Sequence, residues 1–218
     1  MEPIGDAVQY PMNRSNWLTT VIIGGLLWIF SFLLIPIFFV YGIAIRAMQR
    51  TMAGDDEPPQ FEDWGELLVD GVQAWLIGLI YTIIPLVLMW FIVGTALVGA
   101  IVGGEGSLGA AVAGALFSVL IVSIIALVFG YVASIAVVNF AREGTFGAGF
   151  DFDVIGQVVT STDYLIAFIV VVVLFFVVFI VTAIPLIGWI IAPFLTFYLG
   201  LVAARILAGG FEDALASA

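Results

Sequence analysis

Long apolar runs interrupted by short polar stretches set the plan of this chain. From Trp17 the sequence is apolar to Ile45 and then meets Arg46 and Arg50. Ser31 and Pro36 near the middle of that run predict a tight helical hairpin, with residues 17–34 going out and 37–49 coming back. A single long tilted helix is the alternative. Residues 51–60, TMAGDDEPPQ, stop any helix.

The segment 61–75 then places Asp63, Glu66, Asp70 and Gln73 at helical spacing on one face and Leu67, Leu68, Val72 and Trp75 largely on another. This pattern predicts an amphipathic interfacial helix, held at the membrane by its apolar side and by Trp64 and Trp75. A third span is expected over 72–98 and, after a glycine-rich turn, a fourth over 108–138. A second polar linker, EGTFGAGFDFD, and a short segment at 154–162 lead to a fifth span over 164–184. Ser161, Thr162 and Asp163 are candidate caps for it. Pro185 to Gly188 turns the chain into a sixth span ending near Leu207, after which Gly209 and Gly210 close the helix. Valine, isoleucine and phenylalanine favour strands in water, but lipid leaves no partner for an open strand edge, so helices are expected throughout.

In a six-span layout Arg14, Arg46, Arg50, Arg142 and Arg205 all fall on one side, and Glu105 is the only charge on the other. The positive-inside rule then places both termini in the cytoplasm of a multi-pass cell-membrane protein. Trp17, Trp64 and Trp75, with Arg46, Arg50, Arg142 and Arg205, are the expected interfacial anchors. Residues 1–16 lack the basic and short apolar regions of a cleavable signal, so the mature chain is expected to begin near Met1.

A threefold repeat is visible in this pattern. Ile35-Pro36, Ile84-Pro85 and Ile184-Pro185 each fall at or near the end of a unit's first apolar stretch. Each second span carries a tyrosine followed by an arginine: Tyr41 with Arg46 or Arg50, Tyr131 with Arg142, Tyr198 with Arg205. The expected units are 1–57, 58–143 and 144–218. The fold class is therefore all-α and integral to the membrane, with six transmembrane helices arranged as three repeated hairpins, led in by short amphipathic interfacial helices, in a single domain over 1–218.

Composition agrees. Hydrophobic residues make up 64% of the chain and charged residues 10%, so most of it must lie in lipid. The absence of cysteine and histidine removes disulfides, thiolate or imidazole metal ligands, and Ser/His or Cys/His nucleophilic schemes. All five basic residues are arginines, set against sixteen acids, and the net charge of -11 repels nucleic acid. An acidic surface without lysine suits a salty cytoplasm, where a short screening length removes self-repulsion. A docking surface for a basic partner is the other reading of Asp63, Glu66 and Asp70.

The segment PPQFEDWGELLVDGVQAWLIGLIYTIIP resembles the signature stretch of an archaeal family of uncharacterised membrane proteins, domain-of-unknown-function family 4013. The resemblance extends over nearly the whole chain, including Trp17, Tyr41-Gly42, Arg46 and Gly209-Gly210. It implies the three-hairpin architecture and a haloarchaeal source, and it brings no catalytic residue.

The chemistry left open is narrow. Every predicted span is free of charge through its middle, which argues against a proton relay or voltage sensor. Asp70-Gly71 with Ala74 faintly echoes a lipid-headgroup transferase motif, but the later aspartate pair is missing. Gly94, Gly99, Gly109, Gly114 and Gly130 permit close helix packing, within the chain or between copies. Tyr81, Thr82, Ser118, Ser123, Ser134, Asn139 and Thr196 are candidate lining for a weakly polar cavity. The expected function is that of a non-enzymatic scaffold or accessory subunit, without cofactor, metal or nucleic acid, whose partners are membrane lipid and a second copy or another membrane protein. A passive carrier or channel for a small neutral or lipidic molecule is the alternative. A lipid-modifying enzyme comes third.

Overall fold

A computed structural model of the chain describes residues 4–102 and 108–217. Among these residues the α-helices are α1 (Ile4–Gln9), α2 (Trp17–Ile29), α3 (Ile35–Met52), α4 (Trp64–Val102), α5 (Leu108–Glu143), α6 (Phe152–Val159), α7 (Thr162–Thr182) and α8 (Ile187–Ala216). One-turn 3-10 helices follow α1 and α2 and precede α6. No strand occurs among the described residues. Four helical stretches are long and apolar enough to cross a membrane: Trp64–Thr95, Val112–Glu143, Thr162–Thr182 and Ile187–Ala216. They make this a membrane-embedded, all-helical chain.

The region 17–50 is not one continuous helix. A 3-10 turn at Phe30–Leu33 and a backbone reversal at Leu34, with φ of 66°, separate α2 from α3. Leu186, with φ of 63°, does the same immediately before α8. There the Ile187 N–H donates to the Pro185 carbonyl at 2.8 Å, closing a three-residue turn about Leu186. Ile35-Pro36 and Ile184-Pro185 thus flank chain reversals, whereas Pro85 lies inside the uninterrupted α4. A proline ring can sit in a long helix in lipid because neighbouring groups take up the freed carbonyl.

The amphipathic lead-ins also differ from one another. In the first and third thirds of the chain they are the separate short helices α1 and α6. The segment expected as a distinct interfacial helix at 61–75 is instead an irregular start at Phe61 to Asp63, with Asp63 at φ of 50°, followed by the first turns of α4. No proline stands between Trp64 and the start of the span, and the helix carries Gly65 and Gly71 without a break, so the hydrogen-bonded ladder continues.

The chain divides into two compact units, residues 1–77 with 134–218, and residues 78–133. In the first, α8 is the hub on which α7, α3, α2, α1 and α6 pack. Its buried residues are largely small or aliphatic, among them Val202, Ala203, Ala204 and Ala208, with Phe197 and Phe211 as the large anchors. Small residues let the backbones approach. A Cβ on Gly210 would lie 2.6 Å from Ala167 Cβ on α7, and one on Gly24 or Gly25 of α2 would run into Phe197 or Phe194. The tightest approach joins α3 to the start of α4. A Cβ on Gly42 would collide with the Leu67 carbonyl oxygen, and one on Gly71 with that of Phe38.

The second unit comprises parts of α4 and α5. Its large side chains are outward, with Trp90, Leu116 and Phe117 strongly exposed. Thr82, Ser118 and Ser123 bond the carbonyls of Gly78, Gly114 and Val119 in their own helices, so no open polar group faces lipid at these positions.

Candidate functional site

Two features of the first unit bring together side chains with chemical potential: a seam of arginine–carboxylate pairs and a largely apolar cavity.

The seam takes in all five arginines, each of which meets a carboxylate. Arg14, just ahead of α2, donates through Nε to Glu57 in the α3–α4 linker at 3.0 Å. On α3, Arg46 donates to the Glu62 carbonyl at 2.7 Å and to Glu66 Oε2 at 3.3 Å, with Asp63 Oδ2 at 4.0 Å. One helical turn later Arg50 meets Asp55 at 3.0 Å. Arg142 at the end of α5 lies between Glu143 at 3.5 Å and Glu212 of α8 at 3.7 Å. Arg205 on α8 donates to Asp56 at 2.6 Å and lies over the Tyr10 ring, 4.7 Å from its centroid. Arg14, Arg142 and Arg205 thereby tie together segments far apart in the chain, while Arg50 pairs locally.

Arg205 is the buried member of the set, with 8% of its side chain exposed. Tyr10 is fully buried beneath it, beside Thr51. Burial pushes the Tyr10 hydroxyl up to about 12, and the neighbouring Arg205 charge opposes that rise. The α1 end is further fixed by Tyr198, whose hydroxyl donates to the Val8 carbonyl at 2.6 Å.

The acids singled out in the sequence fall beside Arg46. Asp63 sits at the mouth of α4 with φ of 50°, and its carbonyl accepts from the Glu66 and Leu67 N–H groups. The side chains of Asp63 and Glu66 remain 73% and 79% exposed, while Asp70 is half-buried a turn further on. Among the described residues, no three acidic side chains converge to hold a metal ion.

The tryptophans divide between aromatic contacts and partial exposure. Trp64 stacks on Phe61 at 5.5 Å and meets Phe39 edge-on at 5.0 Å, and Trp75 meets Phe38 edge-on at 5.6 Å. Trp17 is half-buried at the start of α2. Gly94, Gly99, Gly114 and Gly130 have open space where a Cβ would lie. Glu105 and the side-chain position of Gly109 lie outside the described residues.

The cavity, of about 200 Å³, lies among α2, α3, α7 and α8. Trp28, Tyr41, Phe175, Thr196, Phe197 and Gly200 are among its walls. Sequence reasoning named Thr196 as a cavity candidate but missed Trp28, Phe175 and Gly200, since nothing marks them out in a uniformly apolar run. The other expected lining residues are used elsewhere. Ser134 accepts from the Tyr164 hydroxyl at 2.9 Å, and Asn139 donates to the Ala148 carbonyl at 2.8 Å.

The arrangement sets paired guanidinium groups at one place and an aromatic, hydroxyl-bearing pocket at another. A family model described as a protein of unknown function, DUF4013, matches residues 29–187. The match leaves Trp17 and Gly209-Gly210 outside it, so those residues do not carry the resemblance. No curated protein and no solved structure matches the chain.

Proposed function

The chain belongs to the DUF4013 family of proteins of unknown function, and from that premise we propose that it is a non-enzymatic, multi-pass scaffold or accessory subunit of the cell membrane that works by pairing with a second copy of itself. The observation that carries this reading is the contrast in how glycines are used. Gly24, Gly25, Gly42, Gly71 and Gly210 are each filled by a neighbouring element of the same chain. Gly94, Gly99, Gly114 and Gly130 lie on long apolar helices, and their Cβ positions are vacant. Helices in lipid associate through small residues that let backbones approach, and these four offer that approach to another copy.

Six spans with both termini in the cytoplasm remain the topology that best joins the helices to the arginines. The paired leucine reversals before α3 and α8 support a shared hairpin plan in units 1–57 and 144–218, and 58–143 is the unit that departs from it. In this reading Asp63, Glu66 and Asp70 belong to a surface adapted to a salty, haloarchaeal cytoplasm, with Asp63 and Glu66 also countering Arg46.

Because the chain has no cysteine, single-cysteine variants give cross-linking without background. Gly114→Cys in native membranes is expected to yield an oxidised dimer, while Val173→Cys on the exposed face of α7 yields none. Equal cross-linking at both positions, or a monomer at both, would overturn the proposal.

A further inference from the structure

We propose that the cavity among α2, α3, α7 and α8 binds a neutral membrane lipid whose head is a single ring bearing a hydrogen-bonding oxygen. Its lining residues come from α2, α3, α7 and α8, and it does not depend on association between copies.

Position comes first. Tyr41 lies six residues beyond the start of α3 and Thr196 nine beyond the start of α8, about 9 Å and 14 Å along helices that begin at the Leu34 and Leu186 reversals. In the six-span topology proposed above, on which this placement rests, that depth falls inside a hydrocarbon core about 30 Å thick. Tyr41 and Phe175 are 38% and 37% exposed, so the cavity opens outward. What reaches it comes from the lipid phase.

The walls then specify the occupant. No carboxylate or arginine is among the residues lining the cavity, and a charged headgroup brought to this depth would be costly. Trp28, Phe175 and Phe197 present aromatic surface, and the volume of about 200 Å³ exceeds the roughly 150 Å³ apolar cavity that admits benzene in another protein. A ring fits where a bulky polar headgroup does not.

Two hydroxyls supply the polar requirement. In other spans Thr82, Ser118, Ser123 and Thr182 each donate to a carbonyl four residues back in their own helix. Thr196 makes no such bond, and neither it nor Tyr41 has a hydrogen-bond partner among the described residues. An unpaired hydroxyl facing hydrocarbon is costly, and a bare acyl tail would leave both unpaired. A carbonyl or hydroxyl oxygen on the ligand meets that need.

Gly200 completes the shape. It lines the cavity, and a Cβ built on it meets nothing within 4 Å. A side chain there would grow into the space a ring would fill.

The test uses the full chain in nanodiscs, with a decyl-substituted benzoquinone as probe and decylbenzene as the same shape without oxygen. Saturable binding, read by ligand-dependent thermal stabilisation and by equilibrium partition of the probe, is expected for the quinone and should be about tenfold weaker for decylbenzene. Tyr41→Phe with Thr196→Val keeps the shape and should reduce quinone affinity about tenfold, leaving decylbenzene unchanged. Gly200→Leu should abolish binding of both without lowering the ligand-free melting temperature. If Gly200→Leu folds poorly, the hydroxyl-deleted pair decides. Absence of saturable quinone binding, equal affinity for the two probes, or undiminished quinone binding in the hydroxyl-deleted pair would overturn the proposal.

Discussion

Arg205 of α8 reaches Asp56 in the α3–α4 linker at 2.6 Å with its guanidinium lying over the Tyr10 ring, so one buried cation ties together three parts of the sequence. The carboxylate is 78% exposed and the guanidinium 8%, so the pair is unequal. Removing Asp56 leaves a poorly hydrated charge with less compensation, whereas removing the arginine leaves an acid that water can solvate. Asp56→Ala is expected to cost about 1–2 kcal/mol, above the usual value for a surface pair. Arg205→Lys keeps the charge but loses the planar stack, and should also destabilise. Unfolding of both single variants and the double variant in mild detergent measures the coupling; none would mean that the pair is ornamental.

Tyr10 gives the same region a pH dependence. Its hydroxyl is raised from 10.0 to about 12 by burial, so the folded state holds the proton more tightly than the unfolded state does. The resulting stability is fully present below pH 10 and is lost as pH rises through about 12. In that window the folding free energy should fall by about 1.4 kcal/mol per pH unit from this one group. Tyr10→Phe removes the titrating proton and keeps the ring beneath Arg205. The difference between the two denaturation curves against pH is the measurement, and parallel curves would contradict the assignment.

How far the fold could be read in advance varied with the range of the interaction. The helices α7 and α8 follow from apolar runs, because lipid leaves the backbone no other arrangement. Arg46 lies close enough in sequence to Asp63 and Glu66 for their pairing to be anticipated. Nothing local links Arg14 with Glu57, 43 residues away, or Arg205 with Asp56, 149 away. Such pairings depend on how helices pack, and hydrophobic periodicity carries no information about partners that distant. The expected span over 72–98 already ran through Pro85, which a long helix in lipid can absorb. The unbroken run of α4 from Trp64 was hidden for another reason: an amphipathic first stretch reads as a separate interfacial helix. The cavity was half visible: Thr196 stands out as polar, while the aromatic walls look like any other span residues.

The α3–α4 crossing predicts a sharp difference between two glycines of the same helix. At Gly71 a methyl group would strike the Phe38 carbonyl, which is backbone and cannot rotate away, whereas at Gly65 it would meet nothing within 4 Å. Gly71→Ala should therefore destabilise by about 2–3 kcal/mol through overpacking. Gly65→Ala should be neutral or stabilising by up to about 1 kcal/mol, as expected for alanine in a helix. Thermal unfolding of the two variants side by side checks this. Similar losses in both would mean that the helices do not approach through Gly71.

The leucine reversals invert the usual ranking of glycine and alanine. Leu34 and Leu186 hold φ near +65°, a region in which an L side chain is strained and glycine is not. Leu186 is 70% exposed and Leu34 60%, so truncation removes little packing within the chain. Replacing either by alanine keeps the strain, while glycine releases it. The glycine variant should be the more stable of the two by about 1 kcal/mol at each site, despite the greater freedom glycine gives the unfolded chain. Melting temperatures of Leu34→Gly against Leu34→Ala, and of Leu186→Gly against Leu186→Ala, read the difference directly. A more stable alanine variant at either position would place that reversal at negative φ. It would also remove the shared turn geometry that supports a common plan for the first and third hairpins.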